Sequence, residues 1–206
     1  MAGQAIEAVL FDLGGVVFNI DFDRVFAEWA QASGSDLEAI RERYSFDDAY
    51  EAHERGEISG PQYYHALRTM LGVAITDAQF EVGWNAIFLD AVEGIDQVLA
   101  TLTVPAFAFS NTNATHERVW QSRYPHVLAR FQSVFVSSRI GLRKPEPEAF
   151  AHVLGAMGHA PESVLFLDDT HANVVGARAS GLHARAVGSI EETRASLREF
   201  GLIAPD

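Results

Sequence analysis

Five short strand-like runs, at 8–11, 104–109, 133–137, 164–167 and 183–187, set the terms on which this chain can fold. They are rich in Val, Leu, Phe and Ala, and Gly, Pro or Ser residues punctuate the chain around them, which is how buried strands read. Helical spacing of apolar residues occupies 91–101, 115–131 with Pro125 breaking the pattern, 147–157, 172–180 stopped by Gly181, and 190–200. Ser189 stands at the N-cap of that last helix, with Glu192 at the capping-box position. Strands spaced by helices imply an α/β fold, a doubly wound parallel sheet covered on both faces.

The interval after the first strand is different. From 18 to 90 the pattern is helical, with segments at 23–33, 36–44, 46–55, 61–71 and 77–88 and no convincing strand. Residues 1–7 read as a lead-in. The expected organisation is an α/β core from 1–17 and 91–206, with 18–90 inserted after strand one as a helical block.

Polar residues gather where the strands stop. The first run ends at Asp12-Leu13-Gly14-Gly15, the next at Ser110-Asn111-Thr112, and the fourth at Asp168-Asp169. Lys144 follows the third run, within Gly141-Leu142-Arg143-Lys144-Pro145-Glu146-Pro147. A parallel sheet brings such ends to one edge, where open α/β folds bind their ligands. Each residue also has a bland reading. Asp12 caps a turn, Ser110 caps a helix, Lys144 is a surface charge, and the acidic pair favours a helix dipole. Four bland readings at successive ends of one sheet are less economical than one shared site.

Composition narrows the function. A net charge of −13 with no Lys/Arg-dense stretch argues against nucleic-acid partners, whose binding rests on cationic side chains. The absence of cysteine removes disulfide and thiolate chemistry. No apolar run is long enough to span a membrane. The first apolar run is broken by Asp12 and lacks a basic flank, so it is not a signal peptide. A cytoplasmic location, and a monomer or homodimer, are the expectations.

The ordered set Asp12-Leu13-Gly14, Ser110, Lys144 and Asp168-Asp169 resembles the motifs of the haloacid dehalogenase superfamily, whose members are largely phosphatases. The resemblance covers nearly the whole chain, and 18–90 falls where that family inserts a helical cap. Four stretches are also similar to those of bacterial α-D-glucose-1-phosphate phosphatases and of the N-terminal phosphatase domain of soluble epoxide hydrolases. They are Phe11-Asp12-Leu13-Gly14, His53-Glu54-Arg55-Gly56-Glu57-Ile58-Ser59, Ser110-Asn111-Thr112-Asn113 and Phe166-Leu167-Asp168-Asp169.

The resemblance implies a Mg²⁺-dependent phosphatase for a small phosphorylated metabolite, a sugar phosphate such as a hexose 1-phosphate. Asp12 would be the nucleophile and form an aspartyl-phosphate. Asp12, the Gly14 carbonyl and Asp169 would hold Mg²⁺, with Asp168 acting through water. Lys144 would add positive charge, and Ser110 and the Asn111 N–H would donate to phosphate oxygens. A carboxylate about 4 Å from a phosphate dianion meets roughly 8 kcal/mol of repulsion at an effective dielectric near 20, so fixed cations are needed. The cap would choose the substrate, with Arg55 as a substrate-binding residue beside a Gly56–Gly60 loop. Trp84 and the pair Tyr63-Tyr64 read as cap core rather than as sugar platforms.

One position departs from the family pattern. The acid/base Asp usually found two residues after the nucleophile is Gly14 here. Asp21 and His116 are candidates to supply the proton, and a sugar 1-phosphate, leaving as a hemiacetal alkoxide, needs it less. Two other readings stand beside the phosphatase. A 2-haloacid dehalogenase would not need the paired carboxylates. A non-catalytic binding protein on the same fold would account for Gly14.

Overall fold

The computed structural model describes residues 5–204; the first four residues of the expected lead-in lie outside them. Five strands, β1 (Ala8–Phe11), β4 (Ala106–Ser110), β5 (Ser133–Val136), β6 (Val164–Asp168) and β7 (His183–Ala186), form one sheet in the order β5-β4-β1-β6-β7. All four neighbouring pairs are parallel. This is the doubly wound sheet expected from the sequence, with β1 at its centre.

Side chains alternate across the sheet, as a strand's period of two requires. Ala8, Leu10, Phe107, Phe109, Val164 and Phe166 face one core. Helices α10 (Pro147–Met157) and α11 (His171–Ala179) cover it with Phe150, Val153, Leu154 and Val174. Val9, Phe11, Ala108, Leu165 and Leu167 face the other core. There α6 (Ile95–Thr101), α7 (Ala114–Arg123) and α12 (Ile190–Glu199) contribute Val98, Trp120 and Leu197.

The block after β1 is built from α1 (Phe22–Ser33), α2 (Leu37–Arg43), α3 (Asp48–Glu54), α4 (Gly60–Leu71) and α5 (Asp77–Asn85). Asp21, Asp36 and Asp47 cap the first three through their side chains. Ser59 and Thr76 open the next two with capping boxes closed by Gln62 and Gln79, satisfying backbone donors that a helix start leaves free. Its aromatic centre includes Trp29, Tyr63, Tyr64, Phe80 and Trp84, all 2% exposed or less. Trp29 stacks on Trp84 at 5.9 Å, and its indole N–H donates to the Phe80 carbonyl at 3.2 Å. Tyr63 and Tyr64 are therefore core residues, as read. This aromatic centre is continuous with the core on the Val9/Phe11 side of the sheet, so the block shares its apolar packing with the α/β part.

The helical reading of 18–90 needs one correction. β2 (Phe18–Ile20) and β3 (Phe88–Ala91) pair antiparallel, Phe18 with Ala91 and Ile20 with Phe88. The expected helices 77–88 and 91–101 accordingly shorten to α5 and α6. Strands of three and four residues that pair only with each other carry no alternation signal, and a short apolar run does not separate strand from helix. At the last helix, Ser189 Oγ accepts from the Glu192 N–H, but the Glu192 carboxylate reaches back to the N–H of Gly188. The remaining elements are short: α8 (Pro125–Leu128), α9 (Ser137–Ile140) and a 3₁₀ turn at Pro161–Ser163. No helix among the described residues is long and apolar enough to cross a membrane.

Leu10 is fully buried at the middle of β1, and Val175 is half exposed on α11. Leu10→Ala is expected to cost about 3 kcal/mol of stability and Val175→Ala to stay within about 0.5 kcal/mol, as read by urea unfolding.

Candidate active site

Strand register assembles the site. Phe11 pairs with Leu167 on one side and with Ala108 on the other, so the next residues in line, Asp12, Asp168 and Phe109, end side by side. Lys144, carried in the loop after α9, reaches into the gap between them. Its Nζ donates to Asp12 Oδ1 at 2.6 Å, to Asp168 Oδ2 at 2.7 Å and to the Phe109 carbonyl at 2.8 Å. Those bonds use every donor of an ammonium. The rings of Phe109 and Phe166 flank it, each 5.3 Å away. Lys144 is 1% exposed and is the only lysine in the sequence. A planar guanidinium could not replace it, because its donors diverge in one plane.

Neighbouring side chains fix this arrangement. Asn111 Nδ2 donates to the Lys144 carbonyl at 2.8 Å, and its Oδ1 accepts from the Lys144 N–H at 2.9 Å. Asp168 Oδ1 accepts from the Thr170 N–H at 2.8 Å, and Asn173 Nδ2 lies 3.1 Å from both Asp168 oxygens. Asp168 is thus buried and fully engaged. Asn173 escaped the sequence reading; its signal was an amide in the first turn of the helix that follows the acidic pair.

Asp169 completes the cluster. Carboxylate oxygens of Asp12, Asp168 and Asp169 lie within 4.8 Å of one another. Gly15 permits this. It sits at φ +78°, and a Cβ there would meet the Asp169 carboxylate, so any other residue at position 15 would be strained and would displace Asp169. Three carboxylates face one ammonium, which leaves negative charge in excess. Burial pushes the Asp12 carboxyl up to about 7 against the pull of Lys144, with Asp168 and Asp169 adding to the rise. Burial and Asp168 likewise raise Asp169. A compact set of hard oxygens with surplus negative charge fits a divalent cation of the Mg²⁺ kind.

A solvent-open cavity of about 580 Å³ lies over this cluster, lined by Asp12, Gly14, Ser110, Asn111, Lys144 and Asp169 among others. A smaller, apolar recess adjoins it, walled by Phe18, Phe22, Trp84, Phe88 and Trp120 and sharing Gly14, Ser110 and Asn111. The structure therefore brings together the expected Asp12, Gly14, Ser110, Asn111, Lys144, Asp168 and Asp169. Trp84 belongs to the aromatic centre of the helical block and to the wall of the recess at once.

Arg55 is placed elsewhere. Its guanidinium donates to Glu146 at 2.9 Å and to Glu51 at 3.1 Å, and it does not line the cavity. The cause is local: Glu51 lies one helical turn before it and Glu146 stands on the Lys144 loop, so the charge is already paired. Arg143 lines the cavity instead, with Nε 2.9 Å from Glu54 Oε2 and Nη1 2.9 Å from Glu51 Oε1. Of the two expected proton sources, Asp21 lines neither the cavity nor its recess. Asp21 Oδ1 caps α1 by accepting from the Asp23 N–H at 2.9 Å. His116 is buried, its Nε2–H donates to the Trp84 carbonyl at 3.0 Å, and burial pulls its pKa down to about 3.

Lys144→Met strands Asp12 and Asp168 without a counter-charge and is expected to cost about 3–5 kcal/mol in EDTA. Asp12→Asn removes one like charge and should be at least as stable as wild type there. Because folding raises the Asp12 pKa from 3.8 to about 7, the folded state binds the extra proton between those values, and stability falls as pH rises through that window. Thermal unfolding in EDTA from pH 4 to 8 is therefore expected to fall more steeply for wild type than for Asp12→Asn.

Comparison with known proteins places this geometry. Over 82% of this chain and 85% of the relative, it is 22% identical to a D-ribitol-5-phosphate phosphatase of Bacteroides thetaiotaomicron. Over 85% of this chain and 87% of the relative, it is 29% identical to a sesquiterpene phosphatase of Aspergillus oryzae. A haloacid dehalogenase-family enzyme of Bacteroides thetaiotaomicron, solved with magnesium and inorganic phosphate, superposes with a TM-score of 0.77 at 27% identity, covering 88% of this chain and 94% of that one. The sequence profile of the haloacid dehalogenase-like hydrolases matches residues 6–181, and the chain belongs to that family.

Proposed function

We propose that this hydrolase is a Mg²⁺-dependent phosphoric monoester hydrolase acting on small phosphorylated metabolites. The observation that carries the reading is the carboxylate cluster of Asp12, Asp168 and Asp169 set around one buried ammonium and opening into a cavity that also holds Ser110. The phosphatase relatives support it. In this reading Asp12, the Gly14 carbonyl and Asp169 hold the ion, while Asp168, already saturated, acts through water. When bound, Mg²⁺ supplies the positive charge that keeps the carboxylates ionised beside a phosphate.

The chain's own residues then divide the work. Lys144 holds Asp12 with one oxygen fixed and the other turned to the substrate, and it offsets charge on the transferring group. The Ser110 hydroxyl and the Asn111 backbone N–H donate to phosphate oxygens, since the Asn111 side chain is committed to the Lys144 loop. These are preorganised contacts of the kind that stabilise a phosphoryl-transfer transition state. Asp12 attacks phosphorus to give an aspartyl-phosphate, which water then hydrolyses. The block 18–90 acts as a cap that shapes the leaving-group side and excludes water.

A sugar phosphate, such as a hexose 1-phosphate, remains the substrate class that Gly14 favours, because its hemiacetal oxygen leaves with less protonation. A second reading comes from the recess wall. Phe18, Phe22, Trp84, Phe88 and Trp120 favour an apolar alcohol as leaving group by burial of its surface, and one relative is a sesquiterpene phosphatase.

Phosphate release from sugar 1-phosphates, polyol phosphates and prenyl monophosphates tests the proposal. Wild type with Mg²⁺ is expected to hydrolyse at least one class. Asp12→Asn should lose at least about a thousandfold, consistent with loss of a covalent nucleophile, and EDTA should abolish turnover. Equal rates for wild type and Asp12→Asn would refute the mechanism. Halide release from 2-haloacids that survives EDTA would identify a dehalogenase instead.

A further inference from the structure

The position that carries the family's acid/base carboxylate is Gly14, which has no side chain to give a proton. Gly14 lines both the open cavity and its recess, and a Cβ there would lie 3.3 Å from Ile20 Cδ1 of β2. A proton donor must therefore come from another element. Among the described residues lining the open cavity and its recess, the carboxylates are Asp12, Asp169 and Glu54. The first two belong to the metal cluster. The other ionisable candidates are committed elsewhere: His116 is bonded to the Trp84 carbonyl and burial pulls its pKa down, burial pushes the Tyr50 phenol up, Arg143 is paired with Glu54 and Glu51, and Lys144 has all three donors bonded.

We propose that Glu54, the last residue of the cap helix α3, is the catalytic general acid and base of this hydrolase, standing in for the carboxylate that Gly14 lacks. The assignment rests on the phosphatase reading above. Glu54 is 4% exposed and lines both the open cavity and the recess, each of which it shares with Ser110 and Asn111. Its Oε2 is held by Arg143 Nε at 2.9 Å, which leaves Oε1 outside that ion pair. Burial raises its pKa, and Arg143, Tyr50 and Lys144 oppose the rise. A carboxyl whose pKa burial raises holds its proton more readily than an ordinary glutamate, as a general acid must.

The steps balance. As Asp12 forms its bond to phosphorus, the bond from phosphorus to the leaving oxygen breaks and that oxygen takes the Glu54 proton. Arg143 stabilises the Glu54 carboxylate that remains. In the second step water adds to phosphorus, its proton passes to Glu54, and Asp12 leaves as a carboxylate. The net change is phosphomonoester plus water to alcohol plus phosphate, with Glu54 restored. The Arg143 contact gives it a further property. Arg143 immediately precedes Lys144 in sequence, so the loop that carries the buried ammonium also orients the cap's acid.

Glu54→Gln keeps an acceptor oxygen for Arg143 while removing the exchangeable proton and the carboxylate charge, so the comparison of two substrates separates proton transfer from the lost ion pair. First-turnover release of alcohol is measured with p-nitrophenyl phosphate, whose leaving group needs no proton, and with an alkyl monophosphate that wild type hydrolyses. For Glu54→Gln, nitrophenolate release is expected to stay within about threefold of wild type and alkyl alcohol release to fall by about 10²–10³. Glu54→Asp should recover part of the alkyl rate. An equal fall on both substrates would show a structural role, and no fall on either would remove Glu54 from the chemistry; both overturn the proposal. If wild type itself shows no Asp12-dependent release from either substrate, the phosphatase reading fails and this assignment with it.

Discussion

The three hydrogen bonds of the Lys144 ammonium hold this site together. They tie the end of β1, the end of β4 and the end of β6 to one loop, and they do so in the interior, where an unpaired ammonium or carboxylate would be prohibitive. The energetic logic is asymmetric. One ammonium satisfies two carboxylates and a carbonyl, yet a third carboxylate, Asp169, occupies the same space, in room that a Cβ at Gly15 would take. The protein therefore sustains local repulsion that a compact oxygen-liganded cation relieves. Stability is given up at the place where charge must later be handled, a recurrent pattern at functional sites.

The helical block after β1 is bound to that arrangement by two different forces. Apolar packing runs without interruption from Val9 and Phe11 on the sheet into Trp29, Tyr63 and Trp84. Ion pairs then link α3 to the Lys144 loop on both flanks, Glu51 and Glu54 to Arg143 and Arg55 to Glu146. Gly56, at φ +71°, comes so close to the Ser138 carbonyl that a Cβ would lie 2.4 Å from it. The helical block and the site are held in one geometry through the same short stretch of chain that delivers the ammonium.

What the sequence disclosed follows from physics. A strand buried on both faces is a continuous apolar run, so β1, β4 and β6 and the polar residues at their ends could be read directly, and the edge strands β5 and β7 followed from the alternation with helices. The β2–β3 ribbon could not, because its short strands of mixed burial lie outside that alternation and look like helix flanks. Among site residues, Asp12, Ser110, Lys144 and Asp168-Asp169 were legible as an ordered set. Arg55 and Glu54 show the limit. They are adjacent in sequence, and which of two neighbouring charges faces a cavity depends on the partners waiting in three dimensions. Glu146 and Glu51 take Arg55, while Arg143 draws Glu54 inward, and no one-dimensional pattern records that choice. Asn173 and the Asn111 side chain act only through tertiary contacts with Asp168 and the Lys144 backbone.

The central claim is that Asp12, steadied by Lys144, receives phosphorus. Chemical trapping tests it most directly. Protein quenched during turnover with Mg²⁺ and substrate, then reduced with borohydride, converts an aspartyl-phosphate to homoserine, which peptide mass spectrometry locates. The account predicts that conversion at position 12, dependent on substrate and absent from Asp12→Asn. Conversion at another carboxylate, or steady turnover with position 12 unmodified at every quench time, would contradict it.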